Sequence, residues 1–383
     1  MQLPQAKRAG DMMKKICIFC EVWQSGGIES FLHNILSRAD LSGIEVDIVT
    51  SELKESIFTE ALQRIGVRFH ELSGNYHRVL KNERLFRRLL AERGYDTVWL
   101  NVFQGMTMRF LPAAEALGVK NRIVHSHNSD LRESRLKRAK LLIHREYSRR
   151  YARFATELWA CSRLAAEFMF PEAILREKGY RFIPNGIETA RFRFDPQARE
   201  RVREELGVSD RFVVGNVGRL CYQKNQSFLL DVFSELVKRK ENGTLLLVGE
   251  GEDRAQLEEK AAALGIADSV IFYGLSSRVN ELLCAMDAFV LPSRFEGLAI
   301  SAVEAQASGL PVLYADKLAE ETNVSGAAVP LSLELPPEAW ADRLAEAETG
   351  ERETACLRLR EAGFDLAEVA ERVVALLTDP KGQ

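Results

Sequence analysis

Several things are scarce in this chain of 383 residues, and each scarcity excludes a class of protein. There are six cysteines, at 17, 20, 161, 221, 284 and 356, mostly inside apolar segments. They are too few for a disulfide scaffold and suit reduced thiols in a core. Cys17 and Cys20 have a C-x-x-C spacing, but residues an odd number apart in an extended strand fall on opposite faces, so no redox or zinc role is expected. Eleven prolines against 25 glycines, in a composition 46% hydrophobic and 28% charged, exclude disordered and collagen-like chains. No apolar run approaches the roughly 20 residues that span a bilayer. The run from Ile16 to Cys20 is too short for a signal-peptide core and meets Glu21 at once, so a cytoplasmic protein is expected. Residues 1–11 fit no periodic pattern, and Met12-Met13, just ahead of the first apolar run, is a candidate start.

What is present is length enough for two domains of about 190 residues each. The formal net charge of -3 hides an asymmetry. Residues 1–190 carry 30 Lys and Arg against 22 Asp and Glu, whereas residues 191–383 carry 22 against 33. A basic half joined to an acidic half points to separate tasks.

Apolar runs of strand length alternate with segments of helical period, the pattern of repeated βαβ units and parallel sheets. Strands are expected over 15–20, 44–50, 67–71, 96–100, 121–126, 157–160 and 180–184. Helices lie between them, such as 28–38, where Ile28, Phe31, Leu32, Ile35 and Leu36 share a face. The pattern restarts at Phe212–Val217 and continues over 244–248, 270–273, 288–291 and 311–314. The last 45 residues are helical in character, with Leu359, Phe364, Leu366, Val369 and Val373 available for packing. Two open, doubly wound sheets in tandem are the simplest account, with a boundary near Pro184-Asn185-Gly186.

In such sheets ligands sit beyond the carboxyl ends of the strands, and four turns there carry chemistry. Gln24-Ser25-Gly26-Gly27 leads into the first helix, either as a plain tight turn or as a place where an anion meets free N–H groups. It lacks the G-x-G-x-x-G spacing of nicotinamide and flavin sites. Gly218-Arg219 to Lys224-Asn225 places two cations five residues apart ahead of a helix that Asn225 can cap. The pair is either solvated surface or a diphosphate site built from a guanidinium fork and an ammonium point charge. In the third turn, Pro292 to Ala305, Gly297 and Leu298 would present helix N-terminal amides. Glu304, about two turns on, could accept from ribose hydroxyls, and Glu296 from those of a sugar. The bland alternative is a pair of surface glutamates. Finally, His125 and His127 end a strand two residues apart, so both imidazoles could face one cleft. His127 would act as donor to a reacting oxygen, since no further zinc ligands lie at a suitable spacing.

These motifs resemble glycosyltransferase family four, the GT-B group of retaining nucleotide-sugar enzymes. The likeness spans nearly the whole chain: the Gly-Gly turn, the His-bearing strand, IPNGI at 183–187, GRLCYQKN at 218–225 and PSRFEGLAISAVEA at 292–305. SGGIESFLHN, HSHN and GNVGRLCYQKN look like the branch that builds exopolysaccharide and capsule. The resemblance implies two Rossmann-like domains facing a cleft. An acceptor-side domain would cover 12–188, a donor-binding domain 189–365, and a final helix over 366–383 would pack back towards the first.

It also implies that Arg219 and Lys224 hold the donor diphosphate with amides near Gly26-Gly27 and Gly297-Leu298. Glu304 would hold the ribose, Glu296 would contact the donor sugar, and His127 would line the reaction centre. Ala299 stands where a Pro or Gly is usual, and the common Gly-Gly sugar turn after Pro311 is replaced by Tyr314 to Glu321. No Asp-x-Asp triplet occurs, so neither metal nor cofactor is expected.

The segment Leu131–Phe154 carries Leu136, Ala139, Ile143, Tyr147, Tyr151 and Phe154 on one helical face among many arginines, and Arg78 to Arg93 forms a second basic run. These are either core-packed helices with solvated backs or surfaces drawn to an anionic membrane, which would suit a polyprenyl-diphosphate acceptor at the inner face of the cell membrane. The expected activity is transfer of a sugar from a nucleoside-diphosphate sugar, a UDP-sugar, to a growing lipid-linked polysaccharide. The alternatives are an epimerase or hydrolase of the same architecture, or a non-catalytic nucleotide-sugar-binding subunit. Aromatic interleaving of the basic runs is sparse, so no nucleic-acid partner is expected.

Overall fold

Strands buried on both faces of a parallel sheet are written as unbroken apolar runs, and helices must cover each face. The computed structural model describes residues 13–131, 135–348 and 350–379. The candidate start at Met12 and the tail from 380 lie outside these described residues.

In the first unit, β1 (Lys14–Trp23), β2 (Ile44–Leu53), β3 (Arg68–Glu71), β4 (Thr97–Val102), β5 (Asn121–Ser126), β6 (Glu157–Ala160) and β7 (Arg181–Phe182) form one sheet. Its order is β3-β2-β1-β4-β5-β6-β7. In the second unit, β8 (Phe212–Val217), β9 (Gly243–Val248), β10 (Val270–Gly274), β11 (Ala288–Leu291), β12 (Val312–Ala315) and β13 (Val329–Leu331) form another, ordered β10-β9-β8-β11-β12-β13. The strand pairings in both are parallel. Both orders reverse beside their first strand, and that switch point is where doubly wound sheets bind ligands.

The units are not simple halves of the chain. The first ends at Cys161, resumes over Ala166–Ile183 and takes in the chain from Ala367, while the second comprises Ser162–Ala165 and Pro184–Leu366. Leu359, Phe364, Leu366, Val369 and Val373 are buried, as their spacing requires. The sequence reading misses β13, a three-residue strand containing Pro330, too short and too exposed to stand out as an apolar run.

The helix Lys137–Tyr151 corrects the packing expected from its apolar face. Leu136 is 65% and Ile143 49% exposed, and Leu142 also points outward. The buried residues are His144 and Ser148. Gly105 explains the inversion, because a Cβ there would run into Ser148 Oγ and the His144 carbonyl, so glycine alone lets the helix backbone come this close. The Gly105 N–H donates to His144 Nδ1 at 2.9 Å, and His144 Nε2 lies 2.8 Å from the Phe168 carbonyl. Close backbone approach and an imidazole bridge do the packing, leaving the apolar stripe outside.

Candidate active site

In the second unit the site is assembled from the loops that follow β8, β9 and β11. The loop after β8 lies backbone to backbone on the loop after β9: Gly218 N–H donates to the Val248 carbonyl at 2.9 Å and Leu220 N–H to the Glu250 carbonyl at 3.0 Å. A side chain at Gly249 would collide with the Gly218 carbonyl, so the contact depends on glycine. The other flank is stitched to the loop after β11. Arg294 N–H donates to the Gln223 carbonyl at 2.8 Å, and Gln223 Nε2 donates to the Phe295 carbonyl at 3.0 Å and to Glu296 Oε2 at 3.2 Å.

Asn225 does not cap the following helix with its side chain, contrary to the sequence reading. Its backbone is left-handed at φ 58, the sole such non-glycine among the described residues. That turn aims the amide at the neighbouring loop, where Nδ2 donates to the Pro292 carbonyl at 3.1 Å and Oδ1 accepts from Arg294 Nη2 at 2.8 Å. The residue fastens two loops together.

These ties bring Lys224 to Glu296, with Nζ 2.7 Å from Oε1. Arg219 does not join them; it is exposed and pairs with Glu252 at 2.9 Å. Gly297 and Leu298 are buried just ahead of the helix Ile300–Ala307. Their N–H groups and that of Ser301 find no acceptor among the described residues. Glu304, one turn into that helix, is pushed up to about 7 by burial, against the pull of Arg191 and Lys224. Two buried hydroxyls, Ser293 Oγ and Ser301 Oγ, also lack partners. Unmet donors and acceptors crowded around an ammonium and a raised carboxyl are what a polar ligand would complete.

In the first unit, the turn Gln24–Gly27 leads from β1 into the helix Gly27–Arg38. The Glu29 carboxylate folds back over Gly26, and burial raises its pKa against the pull of the nearby backbone N–H groups. A Cβ at Gly26 would displace that carboxylate, whereas Gly27 faces open space.

His125 and His127 do not share an open face. His125 is wholly buried, stacked on Trp99 and edge-on to Phe31 and Trp159, with neither ring nitrogen partnered. His127, beyond the end of β5, is half-buried, and its Nε2 lies 2.9 Å from Asn101 Oδ1. Burial lowers both, His127 to about 3, so both imidazoles are neutral near pH 7.

The profile for glycosyl transferases group 1 matches residues 198–364 and that for glycosyltransferase family 4 matches residues 25–191. EpsF of Bacillus subtilis, which carries a glycosyltransferase designation, is 31% identical over 350 residues, 89% of this chain and 90% of that one. The chain belongs to glycosyltransferase family four. A GDP-mannose-dependent phosphatidylinositol monomannoside mannosyltransferase of Mycolicibacterium smegmatis is 31% identical over 236 residues, 59% of this chain and 60% of that one. Among solved structures, Anabaena HepE in complex with UDP aligns over 96% of both chains at 19% identity with a TM-score of 0.69. Sucrose-phosphate synthase of Thermosynechococcus elongatus aligns over 95% of this chain and 98% of its own at 18% identity, with a TM-score of 0.73. These likenesses establish the two-sheet GT-B fold of this family-four glycosyltransferase.

Within that family framework, sequence reasoning missed Gln223, Ser293, Ser301, Asn101 and Glu29. The legible signal was for Asn101, an amide set in the otherwise apolar run of β4; serines and glutamines in loops carry no such mark.

Proposed function

We propose that this glycosyltransferase moves a sugar from a nucleoside-diphosphate sugar, a UDP-sugar, to a growing lipid-linked polysaccharide, with retention at the anomeric carbon and without a metal. The observation that carries the reading is the cluster of Lys224, Glu296 and Glu304 at the start of the helix Ile300–Ala307, beside amides with no acceptor. Lys224 and the amides of Gly297 and Leu298 stabilise the leaving diphosphate as preorganised charge, and Arg219, exposed and paired with Glu252, joins them by swinging from that carboxylate to the diphosphate. Glu304 accepts from ribose hydroxyls, Glu296 from the donor sugar, and Gly26-Gly27 and His127 serve from the first unit. In this reading the second unit binds the donor and the first serves the acceptor. HepE structures with UDP and with UDP-glucose support the choice of base, and the likeness to EpsF supports an exopolysaccharide product.

The lipid-linked acceptor places the protein peripherally on the inner face of the cell membrane. Support comes from the helix Lys137–Tyr151, which shows Leu142 and Ile143 to solvent among Arg138, Lys140 and Arg145. No helix among the described residues is long and apolar enough to cross a membrane.

A panel of nucleotide sugars scored by thermal stabilisation identifies the donor, and nucleotide release is then measured with and without lipid-linked acceptor and with EDTA. Acceptor-dependent, EDTA-insensitive release of UDP is expected. Release without acceptor would point to a hydrolase, and binding without release to a silent subunit. Co-flotation with acidic but not neutral liposomes at low salt is expected, and its absence removes the membrane placement.

A further inference from the structure

We propose that Asn101 is the positioning residue for His127: by accepting the Nε2 proton it holds the imidazole in one tautomer, with Nδ1 presented as a bare acceptor for a sugar hydroxyl. The inference rests on the reading of His127 as a reaction-centre residue.

Asn101 is 1% exposed at the end of β4, fixed by register between Cys20 of β1 and His125 of β5. Its Oδ1 stands 2.9 Å from His127 Nε2. The ring is held on its other sides: Phe31 packs at 5.1 Å and His125 at 4.0 Å between centroids, and the His127 N–H donates to the Val102 carbonyl at 3.1 Å. A neutral imidazole has one donor and one acceptor nitrogen, and the partner of one decides the other. With a carbonyl oxygen facing Nε2, the proton belongs there, because the opposite tautomer would set two lone pairs against each other. Nδ1 then carries the lone pair, and it meets no protein group among the described residues.

The facing titratable group is His125, itself neutral through burial, so it does not drive a proton onto His127. In this tautomer His127 receives a hydrogen bond from a hydroxyl through Nδ1, in place of the donor role expected from the sequence.

The test is ¹⁵N NMR of the imidazole nitrogens in the full chain, with steady-state kinetics, for the unaltered protein, Asn101→Leu, Asn101→Ser and Asn101→Asp. The Nε2–H tautomer is expected in the unaltered protein. In Asn101→Leu it gives way to a mixture, and kcat falls by about tenfold or more with donor KM nearly unchanged. Asn101→Asp restores the tautomer and much of the turnover, and its carboxylate raises the imidazole pKa so that the acid limb of the pH profile moves to higher pH. If Asn101→Leu fails to fold, Asn101→Ser supplies the same comparison. A Nδ1–H tautomer in the unaltered protein, or an unchanged tautomer in both shortened variants, overturns the proposal. A changed tautomer with unchanged turnover instead overturns the role of His127 in the reaction and leaves its positioning by Asn101 standing.

Discussion

Lys224 Nζ lies 2.7 Å from Glu296 Oε1, with the side chains only 18% and 10% exposed. The cation assigned to the donor diphosphate and the carboxylate assigned to the donor sugar thus hold each other before any ligand arrives. Lys224→Ala removes the cation and leaves Glu296 without its partner. Donor affinity is expected to drop by about 30-fold or more, equivalent to about 2 kcal/mol, in calorimetric titration. Glu296→Gln keeps the shape of the site and the contact with Gln223, so turnover should fall further than binding. Equal losses would count against a role for Glu296 at the reacting sugar.

Glu304→Gln is expected to trade function for stability. The folded protein holds this carboxyl near 7, above its ordinary 4.5, chiefly through burial. The native state therefore favours the protonated form, and stability from this group is fully present below about 4.5 and is lost as pH rises through about 7. Glutamine never ionises. The variant should match the unaltered protein in thermal melts at acid pH and exceed it above neutrality, while binding donor weakly.

Gly105→Ala places a methyl group where Ser148 Oγ and the His144 carbonyl already sit. The helix Lys137–Tyr151 must move outward, at an expected cost of about 2 kcal/mol in denaturant unfolding. Adding Ser148→Gly should recover only part of that loss, because the backbone carbonyl remains in the way.

Arg352 is buried at 6% exposure, and its guanidinium donates to carbonyls: Ser308 at 2.8 Å, Met286 at 3.1 Å and Leu283 at 3.1 Å. It lies over the Phe194 ring at 4.0 Å. Burial pushes its pKa down to about 10, still well above neutrality. Arg352→Met keeps the apolar stem and orphans the Ser308 carbonyl, whereas Met286 keeps Arg199 Nη1 at 2.9 Å and Leu283 keeps the Met286 N–H, so the stability of the second unit should fall by about 2 kcal/mol. A loss under about 1 kcal/mol would mean that water replaces the guanidinium.

The strands were legible because parallel sheets bury both faces, so Thr97–Val102 and Gly243–Val248 are written as apolar runs whatever surrounds them. β13 failed that test, since Pro330 and half-exposed neighbours give no run to find. At the site, residue type announced Lys224, Glu296 and Glu304, but not their geometry. Arg219 is chemically as good a diphosphate ligand as Lys224, yet the fold turns it towards Glu252, a residue 33 positions away. The helix Lys137–Tyr151 misled for a related reason. Periodicity finds an apolar face but cannot tell which face a glycine on another segment will admit.

The membership of the first unit has a bearing on how the protein is made. The helix Leu366–Thr378 belongs almost wholly to that unit, where Thr97 Oγ1 of β4 donates to the Leu377 carbonyl at 2.7 Å. β1 to β7 leave the ribosome before Pro184–Leu366, the bulk of the second unit, and this helix leaves after it. The nascent first unit must therefore wait, with the ground meant for Val373, Leu376 and Leu377 uncovered, while its neighbour completes folding. That interval is when a chaperone would be of most use, and when a stalled chain would be most prone to aggregate.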